Sequence, residues 1–174
     1  AVLGCVGRLC EQKNQLFLVD VLAAMPQNAC LLLVGEDDGD GSYEAALRRH
    51  ACELGVQVRV RLHGRTDDVA SLYQAMDVLC VPSTFEALGI VAVEGQAAGL
   101  PVVASTAVPQ EAHAGGAMSR IPLDVSQWAA ALAVAPADPA ARAEGAARVA
   151  EAGYDMHTVA AEVAKAYGKI PIRR

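Results

Sequence analysis

Val78-Leu79-Cys80-Val81-Pro82-Ser83-Thr84-Phe85-Glu86-Ala87-Leu88-Gly89-Ile90-Val91-Ala92-Val93-Glu94 holds an apolar run, a short loop and a second apolar run that opens at a glycine. A continuous apolar run bounded by turn residues reads as a strand buried on both faces, and the run after Gly89 reads as a helix. The stretch is a strand-loop-helix unit, the building block of a parallel α/β sheet. The helix start offers an anion site, because the backbone N–H groups around Leu88, Gly89 and Ile90 lack helical partners and Gly89 has no Cβ to hold a phosphate oxygen away. Glu86 and Glu94 stand at its two ends. Eight helical residues rise about 12 Å, and loop takes part of that span here. The spacing suits one carboxylate accepting from a hexose and the other from a ribose, since an ionised carboxylate only accepts. Two glutamates at a helix edge are more often merely solvated, so the rest of the chain has to decide.

Working outward, Val2–Val6 runs into Gly7-Arg8-Leu9-Cys10-Glu11-Gln12-Lys13-Asn14, a second strand, glycine turn and helix entry. In a parallel sheet both loops emerge at the carboxyl ends of the strands, where open α/β folds bind ligands. Arg8, a planar fork, and Lys13, a point charge, then close over a diphosphate. Further strands are predicted at Cys30–Val34, 58–62, Val78–Val81, 102–104 and Met118–Ile121. Helices are predicted at Gln15–Ala24 capped by Asn14, 43–54 after Ser42, 69–75 after Asp67 and Asp68, 89–98, and 125–133 after Asp124. The fold class is α/β: a Rossmann-like, doubly wound parallel sheet of about six strands. Two alanine-rich segments, 139–152 and Met156–Tyr167, add helices on the outside. All 174 residues read as one domain, with no internal repeat or long linker.

Val6-Gly7-Arg8-Leu9 with Lys13-Asn14, Leu33-Val34-Gly35, His63-Gly64, Val81-Pro82-Ser83 with Glu86 to Ile90 and Glu94, and Gly99 to Ala104 together resemble the carboxy-terminal half of retaining glycosyltransferases of the GT-B fold. The resemblance spans essentially the whole chain. It implies a nucleotide-sugar site formed by Gly7, Gly35, His63, Gly64, Arg65, Leu88, Gly89, Ile90 and Glu94, with Glu94 on the ribose and His63 or Arg65 lining the base. Arg8, Lys13 and Glu86 would carry the chemistry. The first two and the helix N-terminus would stabilise a departing diphosphate, while Glu86 orients the donor sugar. UDP-sugars are favoured as donors and GDP-sugars are possible, with no further cofactor required. The acceptor site belongs to the amino-terminal domain, which this chain lacks. The helix Met156–Tyr167 resembles the segment that crosses back to that domain, so Val159, Val163 and Tyr167 would lose packing partners here.

Composition agrees. A net charge of −6 argues against a nucleic-acid binder, whose footprint is a basic face. No run reaches the roughly 18 apolar residues of a membrane span, and no signal peptide is visible, so a cytoplasmic setting is expected, with any contact to the inner membrane face supplied by the missing domain. Cys5, Cys10, Cys30, Cys52 and Cys80 have no zinc or redox spacing and read as reduced thiols. The acidic loop Glu36 to Gly41 places Tyr43 where a calcium loop needs glycine, so it reads as a rim of the nucleotide cleft and no metal is expected. His50, His63, His113 and His157 share no ligand spacing, and His50 and His157 read as structural or solvated. Ser83 and Thr84 lack nucleophile partners, and their hydroxyls are expected on the loop's own backbone or the ligand. Two other readings stay open: a nucleotide-binding module without turnover, and a nicotinamide oxidoreductase. The latter is disfavoured because Arg8 and Leu9 break the Gly-x-Gly-x-x-Gly turn.

Overall fold

A computed structural model describes residues 1–37, 39–133 and 139–168. Its strands are β1 (Val2–Val6), β2 (Cys30–Val34), β3 (Val60–Gly64), β4 (Val78–Val81), β5 (Val102–Ser105) and β6 (Met118–Ile121). The helices are α1 (Gln15–Ala24), α2 (Ser42–Glu53), α3 (Val69–Gln74), α4 (Ile90–Ala97), α5 (Val125–Ala133), α6 (Pro139–Val149) and α7 (Met156–Tyr167). The strands form one sheet in the order β3-β2-β1-β4-β5-β6, every pairing parallel. This is the Rossmann-like order, and its topological switch point lies between β1 and β4. The two loops singled out from sequence are those that leave these two strands.

Both faces of the sheet are covered, which explains why the central strands read as unbroken apolar runs. Along β4, Val78 and Cys80 enter one core with Leu18 and Leu22 of α1, Leu47 of α2 and Trp128 of α5. Leu79 and Val81 enter the other with Tyr73 of α3 and Ala92 of α4. On the first side Phe17 meets Trp128 edge to face, with ring centroids 5.3 Å apart.

Several expected boundaries move. The strand anticipated at 58–62 begins two residues later, because Gln57–Arg59 forms a 3₁₀ turn that buries Arg59. Its guanidinium donates to the carbonyls of Leu22 and Pro26 at 3.0 and 3.1 Å, so it satisfies the end of α1 where a cation is favoured. Val58 consequently faces solvent. The segment expected helical over 139–152 keeps α-helical form only to Val149, then turns through Ala150–Tyr154 with Gly153 left-handed. The cap expected from Asn14 is not made: Asn14 sits in the left-handed region, and its amide donates to the Pro82 carbonyl at 3.2 Å. Nor does Ser42 cap α2, since it is the first residue of that helix and the carboxylate of Asp37 accepts from the N–H groups of Tyr43 and Glu44. Asp68 and Asp124 cap α3 and α5 as expected. His50 tethers helices, its Nε2 lying 2.6 Å from Asp20 Oδ1 of α1.

Candidate functional site

The loops after β1 and β4 are tied together across the switch point. Thr84 donates its N–H to the Gln12 carbonyl at 2.9 Å, Gln12 Nε2 donates to the Phe85 carbonyl at 2.9 Å, and Asn14 reaches Pro82. These bonds bring Lys13 onto Glu86, with Nζ 2.5 Å from Oε1. The pair is mostly shielded, at 16% and 10% side-chain exposure. Ser83, itself buried, donates its hydroxyl to the same Oε1 at 2.8 Å. Neither the ion pair nor the serine bond was anticipated. Lys13 and Glu86 are 73 residues apart, and their meeting follows from strand order, which no local spacing encodes. Ser83 was expected to bond backbone or ligand, and the Glu86 carboxylate takes it instead; Thr84 Oγ1 does point at backbone, 3.3 Å from the Gln12 carbonyl. Beneath the pair, burial pushes the Cys5 thiol up to about 12, with Lys13 opposing and Glu86 reinforcing the shift. Cys5 therefore stays a neutral thiol near the ion pair. All five cysteines are free.

The glycine loops run side by side at the same edge. Gly7 donates its N–H to the Val34 carbonyl and Gly35 to the Gly64 carbonyl, each at 2.9 Å. Gly35 has φ 142°, and a Cβ there would lie 2.0 Å from the Gly7 carbonyl oxygen. Only glycine lets the loops after β1 and β2 approach this closely. Gly89 is left-handed at φ 77° and is the residue before α4. A Cβ there would meet Val108 Cγ1 at 2.9 Å, so the fold behind Gly89 also calls for glycine.

The first-turn N–H groups of α4 differ from those of its neighbours. Aspartate carboxylates accept from the first turns of α2, α3, α5 and α7. Among the described residues no side chain accepts from the first turn of α4, which also lacks an acidic residue there. Its N-terminus thus keeps unsatisfied donors and the positive end of the helix dipole. Leu88 and Ile90 border it and are exposed, as is Phe85.

Glu94 does not join the Lys13–Glu86 cluster. Its Oε2 accepts the Tyr73 hydroxyl at 2.7 Å, beside an open pocket of about 420 Å³ lined by Val69, Tyr73, Gln74 and Ala97. Burial first, then the Glu94 bond and charge, hold the Tyr73 phenol well above its usual range, so it remains a donor. Arg8 is exposed at the rim, as is His63 at the end of β3. Arg65 pairs loosely with Glu36 at 3.7 Å. The acidic loop is not simply a cleft rim: Asp37 accepts from Gly39, Tyr43 and Glu44, which lower its carboxyl below the ordinary aspartate range. Among the described residues no three His, Cys, Asp or Glu are grouped to hold a metal ion.

Residues 1–152 match the family described as "Glycosyl transferases group 1". The chain belongs to the group 1 glycosyltransferases. It is 36% identical over 146 residues to the D-inositol 3-phosphate glycosyltransferase of Corynebacterium efficiens, covering 80% of this chain and 32% of that protein. It is 31% identical over 142 residues to the putative glycosyltransferase EpsF of Bacillus subtilis, covering 78% and 36%. Among solved structures, Anabaena Alr3699/HepE in complex with UDP and glucose superposes with a TM-score of 0.82 at 28% identity, over 97% of this chain and 48% of that one. The chain therefore spans about a third of the length of those curated relatives and about half of HepE. Among its described residues no helix is long and apolar enough to cross a membrane.

Proposed function

We propose that this segment is the donor-binding half of a retaining glycosyltransferase that moves a sugar from a nucleotide diphosphate sugar to a glycan or lipid-linked acceptor. One observation carries the reading: an uncapped helix N-terminus at α4 follows a loop whose glutamate is held by a lysine from across the switch point. The N-terminus takes the diphosphate. Lys13 has three N–H donors and uses one on Glu86, which leaves donors for phosphate oxygens. Arg8 closes the rim from the same loop. Together they stabilise the leaving diphosphate as the glycosidic bond breaks, and Glu86 holds the sugar hydroxyls in place. Glu94, steadied by Tyr73, takes the ribose diol, and the His63-Gly64-Arg65 turn lines the base. That the structural neighbour HepE has been solved with UDP and glucose supports a UDP-linked donor, with a GDP-sugar the runner-up. The exposed face of α7, with Val159, Val163 and Tyr167, is where the amino-terminal domain packs. We place the whole enzyme in polysaccharide or cell-surface glycan synthesis, in the cytoplasm at the inner membrane face.

Calorimetric titration with UDP, UDP-glucose, GDP-mannose and NADH tests the reading. Binding of NADH but of neither nucleotide sugar would overturn it. Glu94→Gln should weaken UDP and UDP-sugar alike, whereas Glu86→Gln should spare UDP and weaken only the sugar-bearing donor. The reverse pattern means that the two roles are exchanged.

A second reading is favoured by the share of the relatives' length that the chain covers. Residues 1–174 alone act as a nucleotide-binding module, because acceptor positioning and water exclusion need a closing partner domain. Nucleotide binding without transfer, with transfer restored by an added amino-terminal half, is the expected outcome. Full transfer by residues 1–174 alone would exclude it.

A further inference from the structure

We propose that Ser105 is a positioning residue for Glu86, acting through Ser83. The inference rests on the reading of Glu86 as the carboxylate that holds the donor sugar. Ser105 is the last residue of β5, the strand beside β4, and it follows three apolar residues, Val102, Val103 and Ala104. An alanine would suit that buried position, where a hydroxyl is tolerated only if it is bonded. It is bonded on both sides. Its Oγ donates to the Ser83 carbonyl at 2.5 Å and accepts from the Ala107 N–H at 3.3 Å. Ser83 in turn donates its own Oγ to Glu86 Oε1 at 2.8 Å. Both serines are 1% exposed.

The geometry gives the chain of bonds a direction. The Ser105 proton is committed to the Ser83 carbonyl, which holds the backbone of the β4 loop against β5. That fixes where the Ser83 hydroxyl points, and so fixes one oxygen of Glu86. Lys13 loads the same oxygen from the opposite loop. Among the described residues the two donors to Glu86 both use Oε1, and Oε2 remains for a ligand hydroxyl. The carboxylate is thereby held at one oxygen and presented by the other. Without Ser105 the loop would retain Lys13 but lose its buried anchor, and the carboxylate would rotate among orientations of which one serves the sugar.

The experiment uses the full-length polypeptide, with UDP and with whichever of UDP-glucose and GDP-mannose the wild type binds, both by calorimetry beside thermal melts. Ser83→Ala should weaken the nucleotide sugar about tenfold, the scale of one hydrogen bond to a charged group. Ser105→Ala, one bond further away, should weaken it about threefold, with UDP within about twofold in both variants. Ser105→Thr keeps the hydroxyl and should restore binding. Wild-type affinity for the nucleotide sugar in a folded Ser105→Ala overturns the inference, as does an equal loss of UDP and nucleotide sugar. If Ser105→Ala does not fold, Ser83→Ala and Ser105→Thr decide: a sugar-selective loss in the first with wild-type binding in the second supports the inference, and any other pair of results overturns it. If the wild type binds no nucleotide, the functional reading itself fails, and this inference with it.

Discussion

The switch-point edge and the carboxy-terminal helix are held in opposite ways. At the edge, loops from three strands are stitched by backbone bonds between Gly7 and Val34, Gly35 and Gly64, and Thr84 and Gln12, with a shielded ion pair above them. Along α7 no residue is buried, and Met156, Val159, Val163 and Tyr167 face solvent. Among the described residues the side-chain hydrogen bonds along α7 are local, from Thr158 to the Asp155 carboxylate. A site that must orient a ligand needs groups whose positions are determined several times over. The helix α7 leaves its apolar face open and keeps its local cap intact, as the proposed reading of it as a docking helix requires.

The contrast is broken most severely by Gly35→Ala. The added Cβ meets the Gly7 carbonyl at 2.0 Å, in a backbone region that side chains avoid. A loss of roughly 3 kcal/mol is expected from the clash and strain together, read by chemical denaturation. A melting curve like that of the wild type would show that the glycine loops need not touch.

Removing a cation sharpens the comparison on the binding side. Arg8→Ala or Lys13→Ala should weaken UDP by about 1.5–3 kcal/mol, the range for hydrogen bonds to charged groups. Unchanged calorimetric affinity in both variants would remove the diphosphate from this edge. Lys13→Ala also leaves Glu86 with Ser83 as its donor, so it should weaken the nucleotide sugar by more than Arg8→Ala does.

A smaller effect separates the two regions by pH. The Asp37 carboxyl is lowered in the folded chain, first by the Gly39 and Glu44 N–H groups, so the contribution it makes is present above the ordinary aspartate range and is lost as pH falls through its depressed value. Asp37→Asn should flatten the acid limb of thermal stability below about pH 4. Asp155 is lowered in the same sense by Thr158, but it caps a helix that buries nothing, so Asp155→Asn should shift local helix content by circular dichroism more than global melting. If Asp155→Asn moves the melting temperature as much as Asp37→Asn, the two regions are not energetically distinct.

The smallest effect belongs to the exposed face of α7. Val163→Ser should change the stability of residues 1–174 by less than about 0.5 kcal/mol, as surface substitutions do. In a longer polypeptide that buries the helix, the same substitution should cost on the order of 1–2 kcal/mol. Equal effects in both settings would mean that α7 has no partner.

The sequence by itself determined the order of elements, the parallel α/β class and the residues of the two central loops. Those features are local: apolar runs of strand length, glycines where φ turns positive, and aspartates such as Asp68 and Asp124 placed before helices. It also marked the candidate site residues Arg8, Lys13, Glu86, Gly89 and Glu94, through stretches whose pattern is contiguous. What only the tertiary structure decided is which of these residues touch. Lys13 reaches Glu86 because β1 lies beside β4, Ser105 reaches Ser83 because β5 lies beside β4, and Glu94 turns to Tyr73 because α4 shares a pocket with α3. Asp37 in place of Ser42, and Arg59 at the end of α1, are of the same kind. A hydrogen bond between distant residues is chosen by packing after the sheet is built, and no period or spacing along the chain carries that choice.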